Sequence, residues 1–167
     1  FFSLNFFWYF KFVIMKFLDL KTQQIRIRKS LEKRFNDIMD RGAYIMGPEI
    51  DELEQKLAAY CGVKHAISCS SGTDALLIPL MSWNIGPGDA VFTTPFTYVA
   101  TAEVISLLGA TPVFVDVYES TFNIDCEKLE IAIQETIEKS NLTPKAVIPV
   151  DLFGVPARYR LICSIAE

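Results

Sequence analysis

The sequence contains a single histidine, four cysteines with no C-x-x-C pair, eight glycines and eight prolines in 167 residues. His65 alone cannot build a histidine-rich metal centre, and a Ser-His triad is open only if that one side chain serves it. Cys61, Cys69, Cys126 and Cys163 make neither a disulfide framework nor a zinc site at these spacings. They read as small buried or helix-face residues. Positive charge is also scarce: 16 Lys and Arg stand against 20 Asp and Glu, a net charge of −4. That balance excludes the basic face of a nucleic-acid binder. What is present is ordinary globular material, 51% hydrophobic and 22% charged. A single domain of this length buries roughly 70% of its unfolded surface.

One residue type is in excess. Residues 1–14, FFSLNFFWYFKFVI, hold six of the 13 Phe together with Trp8 and Tyr9. The run is too short for a membrane span and is interrupted by Asn5 and Lys11. It lacks the basic start and small-residue cleavage site of a signal peptide. Composition changes at Met15-Lys16, so residues 1–14 are expected to be a non-native read-through extension, with Met15 the native start. A short membrane-associating tail is the rival reading.

Downstream, Ile25, Leu31, Phe35, Ile38 and Met39 recur at helical spacing, predicting a helix over 20–41 capped by Gly42. Pro48 opens a second helix, which carries Ile50, Leu53, Leu57 and Ala58 inward and stops at Gly62. The period then shortens. Strands are expected at 65–69 (buried), 90–94, 111–116 and 145–150. Helices are expected at 73–83, 97–108 and 125–138, and from near Pro156 to Glu167. Pro79 falls inside the first of these as a local defect. Four strands alternating with helices imply right-handed βαβ units and a mainly parallel sheet, an α/β fold. The last helix leads toward a further strand, so the chain is expected to be a fragment.

Two strand-to-helix junctions can carry chemistry. Ser70-Ser71-Gly72-Thr73-Asp74-Ala75-Leu76 is placed to present backbone N–H groups at a helix N-terminus, which can hold a phosphate without Lys or Arg. An ordinary N-cap by Ser71 or Thr73 explains the same residues locally. Thr93 to Thr101, TTPFTYVAT, lies at the next junction, again at the carboxyl edge where ligands of parallel sheets bind. Phe96 or Tyr98 there can stack on a planar ring or simply pack the helix start. On their own these residues leave a capping turn with packing aromatics and a phosphate-binding α/β module both open.

Taken together, GxxIxGPEIxxLExxLAxYxGVKHAIxxSSGTDAL, GPGDxVxTTPFTYVATAEVI, GATPVFVDV and VIPVDLFG resemble the DegT/DnrJ/EryC1/StrS family of sugar aminotransferases. The resemblance runs from about Phe17 to Glu167. Its opening segment, FLDLKTQQIRIRKSLEKRF, looks most like members that aminate UDP-linked 3-oxo sugars.

The resemblance implies an incomplete three-layer sheet of the PLP fold type I large domain, as in aspartate aminotransferase. It divides the chain into 1–14 (extension), 15–48 (N-terminal helix and substrate-side loop) and 49–167 (partial large domain). It implies pyridoxal 5'-phosphate (PLP) as cofactor, with Gly72, Thr73 and Asp74 at its phosphate and Tyr98 stacked on its ring. Tyr44 falls in the loop beside the sugar, and Asp151 is a wall of the pocket at most. The implied partners are a nucleotide-sugar substrate, an amino-acid donor (glutamate as a rule) and a second copy in a homodimer. No nucleic acid or membrane is implied, and the setting is cytoplasmic. In the family, the lysine that forms the Schiff base and the carboxylate that meets the pyridine nitrogen lie beyond the segment corresponding to Glu167. None of the ten Lys here matches that motif, so the chain as printed is not expected to transaminate. A catalytically silent regulatory or binding protein of the same fold is the alternative.

Overall fold

The computed structural model describes residues 18–167, and the expected extension 1–14 with its Met15 boundary lies outside the described residues. The chain divides into two units, 1–68 and 69–167.

In the first unit, α1 (Leu20–Arg41) and α2 (Pro48–Cys61) have the predicted bounds because their ends are chemically marked. Asp19 caps α1 by accepting from the Thr22 N–H, and Gly42 ends it in the left-handed conformation at φ 67°. Glycine adopts that conformation without a Cβ penalty. Pro48 begins α2, with Glu49 and Asp51 at the positive end of its dipole. Arg34 grips Glu52 with a two-pronged contact of 2.7 and 3.0 Å. Lys56 also pairs with Glu52, and Arg41 with Glu49.

The expected inward face of α2 is corrected: Leu53 and Leu57 are exposed, Ile50 and Ala58 are only partly covered, and neither helix contains a buried residue. Periodicity fixes which residues share a face and says nothing of what covers it. The expected strand 65–69 is corrected as well. Those residues pair with no strand among the described residues, and Ile67 is exposed. An apolar run supplies the side chains of a strand, but a strand exists only through a partner's ladder. Along this segment Ser68 instead donates its N–H and hydroxyl to Glu54, at 2.7 and 2.9 Å.

The second unit runs α3 (Gly72–Ser82), β1 (Asp89–Thr93), α4 (Ala100–Leu107), β2 (Thr111–Phe114), α5 (Cys126–Lys139), β3 (Thr143–Ile148) and α6 (Tyr159–Ala166). The sheet has the order β2-β1-β3, parallel throughout. β1 lies in the middle, and its alternation divides the core. Ala90 and Phe92 join Val115, Ile124, Leu129 and Ile162 on the face covered by α5 and α6. Val91 joins Leu80, Ile85, Val104 and Ile105 on the face covered by α3 and α4. The result is helix, sheet, helix in three layers, the expected α/β class, with three strands among the described residues where four were expected.

Two helices start later than predicted. After β1, Thr94 is fully buried and its Oγ1 accepts from the Phe96 N–H at 3.1 Å, turning 94–99 into a loop, so α4 begins at Ala100. α6 begins at Tyr159 rather than near Pro156. Pro79 does not break α3, which continues to Ser82.

Phe92→Ala removes the largest fully buried side chain of β1 and is expected to cost about 3–5 kcal/mol, read as a lowered urea midpoint at unchanged slope. In the first unit, hydrogen bonds from Arg34 and then Lys56 hold Glu52 at about 2, against an ordinary 4.5. A carboxylate so lowered stabilises the fold above its unfolded value and loses that contribution as pH falls toward 2. A carboxyl NMR titration is expected to find Glu52 near 2, and Arg34→Ala to move it back toward 4.5.

Candidate active site

The loops that leave the carboxyl ends of β1 and β3 meet the first turn of α3 around a cleft of about 480 Å³. Gly72, Thr73 and Leu76 of α3, Thr97 and Tyr98 of the β1–α4 loop, and Val150 to Leu152 after β3 line it. The central tie beneath it is Thr93, whose buried hydroxyl donates to the Ile148 carbonyl at 2.9 Å and locks the two strand ends together.

At the start of α3, Ser71 is the N-cap. Its extended backbone (φ −157°, ψ 166°) places Oγ to accept from the Asp74 N–H at 3.2 Å. The capping expectation is therefore met by Ser71, without exhausting the donors. The N–H groups of Gly72 and Thr73 have no acceptor among the described residues. Two free amides at a positive helix end form an anion cradle. Asp74 does not line the cleft. Its carboxylate turns back to accept from the hydroxyls of Ser70 and Ser71, and those bonds, Ser70's first, hold its pKa below the ordinary carboxylate value.

Gly72 carries a sharper signal. Its φ is not in the left-handed region, and a Cβ added there would meet no atom of the described residues within 4 Å. Neither backbone conformation nor packing among the described residues requires glycine at this position.

Tyr98 is 75% exposed and lines the cleft, so it does not pack the helix start. Thr97, beside it, shares a 2.9 Å hydroxyl contact with Thr101. Asp151 lines the opposite wall with both carboxylate oxygens engaged. Oδ1 accepts from the Ala157 N–H at 2.8 Å and Oδ2 from the Tyr159 hydroxyl at 3.0 Å. Burial, then the bond to Asp151, raises the Tyr159 pKa. Asp151 thus shapes the β3–α6 loop and, among the described residues, is the only charged one lining the cleft. Tyr44 belongs to the first unit, exposed in the loop between α1 and α2. Leu76 and Val150 were not predicted as liners. Leu76 stands four residues after Gly72, one helical turn along the same face, a spacing visible in the sequence. Val150 was expected to be the last residue of the strand 145–150, but β3 ends at Ile148, which leaves Val150 in the loop that lines the cleft.

The sequence pattern of the DegT/DnrJ/EryC1/StrS aminotransferase family matches residues 25–167. The chain belongs to this family. It is 47% identical over 156 residues to the UDP-2-acetamido-2-deoxy-3-oxo-D-glucuronate aminotransferase of Pseudomonas aeruginosa, covering 92% of this chain and 41% of that protein. It is 40% identical over 150 residues to a pleiotropic regulatory protein of Geobacillus stearothermophilus, covering 90% of this chain and 38% of that one. The crystal structure of a DegT/DnrJ/EryC1/StrS aminotransferase from Brucella abortus superposes with a TM-score of 0.88 at 52% identity, over 92% of this chain and 41% of that chain. The chain thus spans about two fifths of the length of these relatives.

Aminotransferases of this family are PLP-dependent. The cleft suits that group: unpartnered amides for a phosphate, an exposed tyrosine ring beside them, and open space over Gly72.

Ser71→Ala removes the cap and one of the two hydroxyls that lower Asp74. It is expected to cost about 1 kcal/mol in urea unfolding. The Asp74 carboxyl is expected to titrate higher, toward 3.8, followed by NMR.

Proposed function

We propose that the second unit is the phosphate- and ring-holding part of a PLP-dependent aminotransferase. In the complete protein, an amino group passes from an amino acid such as glutamate to a nucleotide-linked keto sugar. The observation that carries this reading is Gly72: a glycine that nothing in the chain requires, at a helix start with free amides, is accounted for by a ligand that approaches the backbone closely.

In this reading the Gly72 and Thr73 amides bind the phosphate, and the Thr73 hydroxyl adds a donor. Asp74 acts indirectly, holding Ser70 and Ser71 so that the turn keeps its shape. Tyr98 covers one face of the pyridine ring and excludes water from it. Asp151 walls the pocket and keeps its loop in place through Ala157 and Tyr159. When bound, the cofactor supplies an electron sink for the carbon from which a proton is removed. These residues orient that ring, and among the described residues no lysine lines the cleft to carry it.

The sugar class follows from the 47% identity to the Pseudomonas aeruginosa enzyme, which acts on a UDP-linked 3-oxo sugar by its name. Tyr44 is assigned to the sugar side of the site. The functional division at residues 14 and 48, a homodimer and a cytoplasmic setting belong to the same proposal. Among the described residues, no helix is long and apolar enough to cross a membrane.

The 40% identity to a regulatory protein favours a second reading, a silent protein that keeps the cofactor cleft. Borohydride reduction of the full-length protein with PLP decides between them. The enzyme is expected to retain the cofactor fixed to a lysine encoded after codon 167, and the silent protein is expected not to.

The cleft itself is tested with pyridoxamine 5'-phosphate, which does not condense with surface lysines. The chain is expected to bind it at least about 100-fold more tightly than pyridoxamine, the charge-assisted phosphate bonds making the difference. Gly72→Ala is expected to leave the thermal midpoint unchanged or raised, since Ala is the better helix former, while weakening binding about tenfold or more. Equal binding of the two probes, or a Gly72→Ala chain that binds normally, overturns the assignment.

A further inference from the structure

Three loops leave the carboxyl edge of the sheet, after β1, β2 and β3. The first and third line the cleft, and the second, between Phe114 and Cys126, contributes no residue to it. Yet the second loop is joined to both of the others. The Phe122 ring lies 5.4 Å from that of Phe96 on the first loop and 5.5 Å from that of Phe153 on the third. Phe96 and Phe153 close the triangle at 6.4 Å. Asn123 donates from Nδ2 to the carbonyls of Val155, at 3.0 Å, and Pro156, at 3.2 Å. A flipped amide would set Oδ1 against those two carbonyls, so the orientation is fixed.

The pair sits on a firm base. The Phe122 N–H donates to the Tyr118 carbonyl at 2.8 Å, the Tyr118 N–H donates to the Asn123 carbonyl at 2.9 Å, and the adjoining Ile124 is buried in the core.

These two residues concentrate unfavourable features. Phe122 is left-handed at φ 59°, a conformation costly for a bulky residue. Asn123 is 95% buried, and its Oδ1 has no hydrogen-bond partner among the described residues. All three Phe rings remain partly in water. Stability alone does not account for strain, an orphaned oxygen and exposed rings gathered at one point, whereas fixing the loops of a site does.

We propose that Phe122 and Asn123 are positioning residues that clamp the two loops of the cleft. Phe122 holds Phe96 and, two residues on, Tyr98. Asn123 holds Val155 and Pro156, and with them the turn that Asp151 closes through Ala157. The role assigned to the clamp rests on reading the cleft as a cofactor site. The clamping itself is a property of this chain and can be measured without any ligand.

Amide hydrogen exchange supplies that measurement, because each loop contains a bonded reporter. Phe96 N–H bonds Thr94, and the N–H groups of Gly154 and Ala157 bond Asp151. Phe122→Ala is expected to speed exchange at Phe96 and Gly154 about tenfold while leaving Val91 to Thr93 in the core unchanged. Asn123→Ala is expected to act on Gly154 and Ala157 and to spare Phe96. Phe153→Ala removes a side chain that is 68% exposed, so it tests the triangle without emptying the core, and Gly154 is expected to loosen again. Phe122→Tyr, which keeps the ring, is expected to restore wild-type exchange. Pyridoxamine 5'-phosphate affinity is expected to fall about tenfold in Phe122→Ala and to recover in Phe122→Tyr. Unchanged exchange at the reporters, or acceleration that includes Val91 to Thr93 equally, overturns the clamp. If the unaltered chain binds no pyridoxamine 5'-phosphate, the cofactor reading fails, and the exchange rates still decide whether the clamp exists.

Discussion

Two-sided burial of β1 is the constraint on which the second unit depends. Four successive residues, Ala90 to Thr93, are excluded from water, and each successive side chain enters the opposite layer. That arrangement requires cover on both faces, which the helices supply, and parallel neighbours β2 and β3 pair with its two edges. Thr93 then carries the same constraint to the carboxyl end, where its hydroxyl ties β1 to β3. The cleft lies directly above that tie. Its floor is therefore set by the most buried part of the unit, while its walls are loops.

The walls show how a binding surface can be made from neutral groups. A helix start provides two amides, a serine caps the third, and an aspartate holds the serines. A cation would reach an anion more strongly but from many directions, whereas fixed amides accept only a group of suitable size placed on the helix axis. Discrimination by shape is the natural outcome.

How much of this was visible in the sequence differs by element. The bounds of α1 and α2 were legible because Gly42, Pro48 and Gly62 punctuate the chain through backbone geometry, which is local. β1 was legible because an apolar run bounded by Gly88-Asp89 and Pro95 has few other uses. The 65–69 segment was misread for the converse reason. His65-Ala66-Ile67 has the composition of a strand, but pairing is a non-local property. The inward face of α2 failed in the same way, since cover is non-local too. In the candidate site, Gly72 and Thr73 lie at the helix start expected of them, although no strand precedes it among the described residues, and Tyr98 lies in the loop between β1 and α4. The ties among Phe96, Phe122 and Phe153 were invisible, because three residues separated by 26 and 31 positions carry no shared local signal.

The strand order has a temporal meaning as well. β1 is complete at Thr93, but the strand on its second edge ends only at Ile148, and β2 and two helices are made in between. At a synthesis rate of about 5–20 residues per second, the central strand waits some seconds with one edge open. A chain growing from the ribosome therefore leaves the second edge of β1 unpaired for that interval, until β3 emerges to join it.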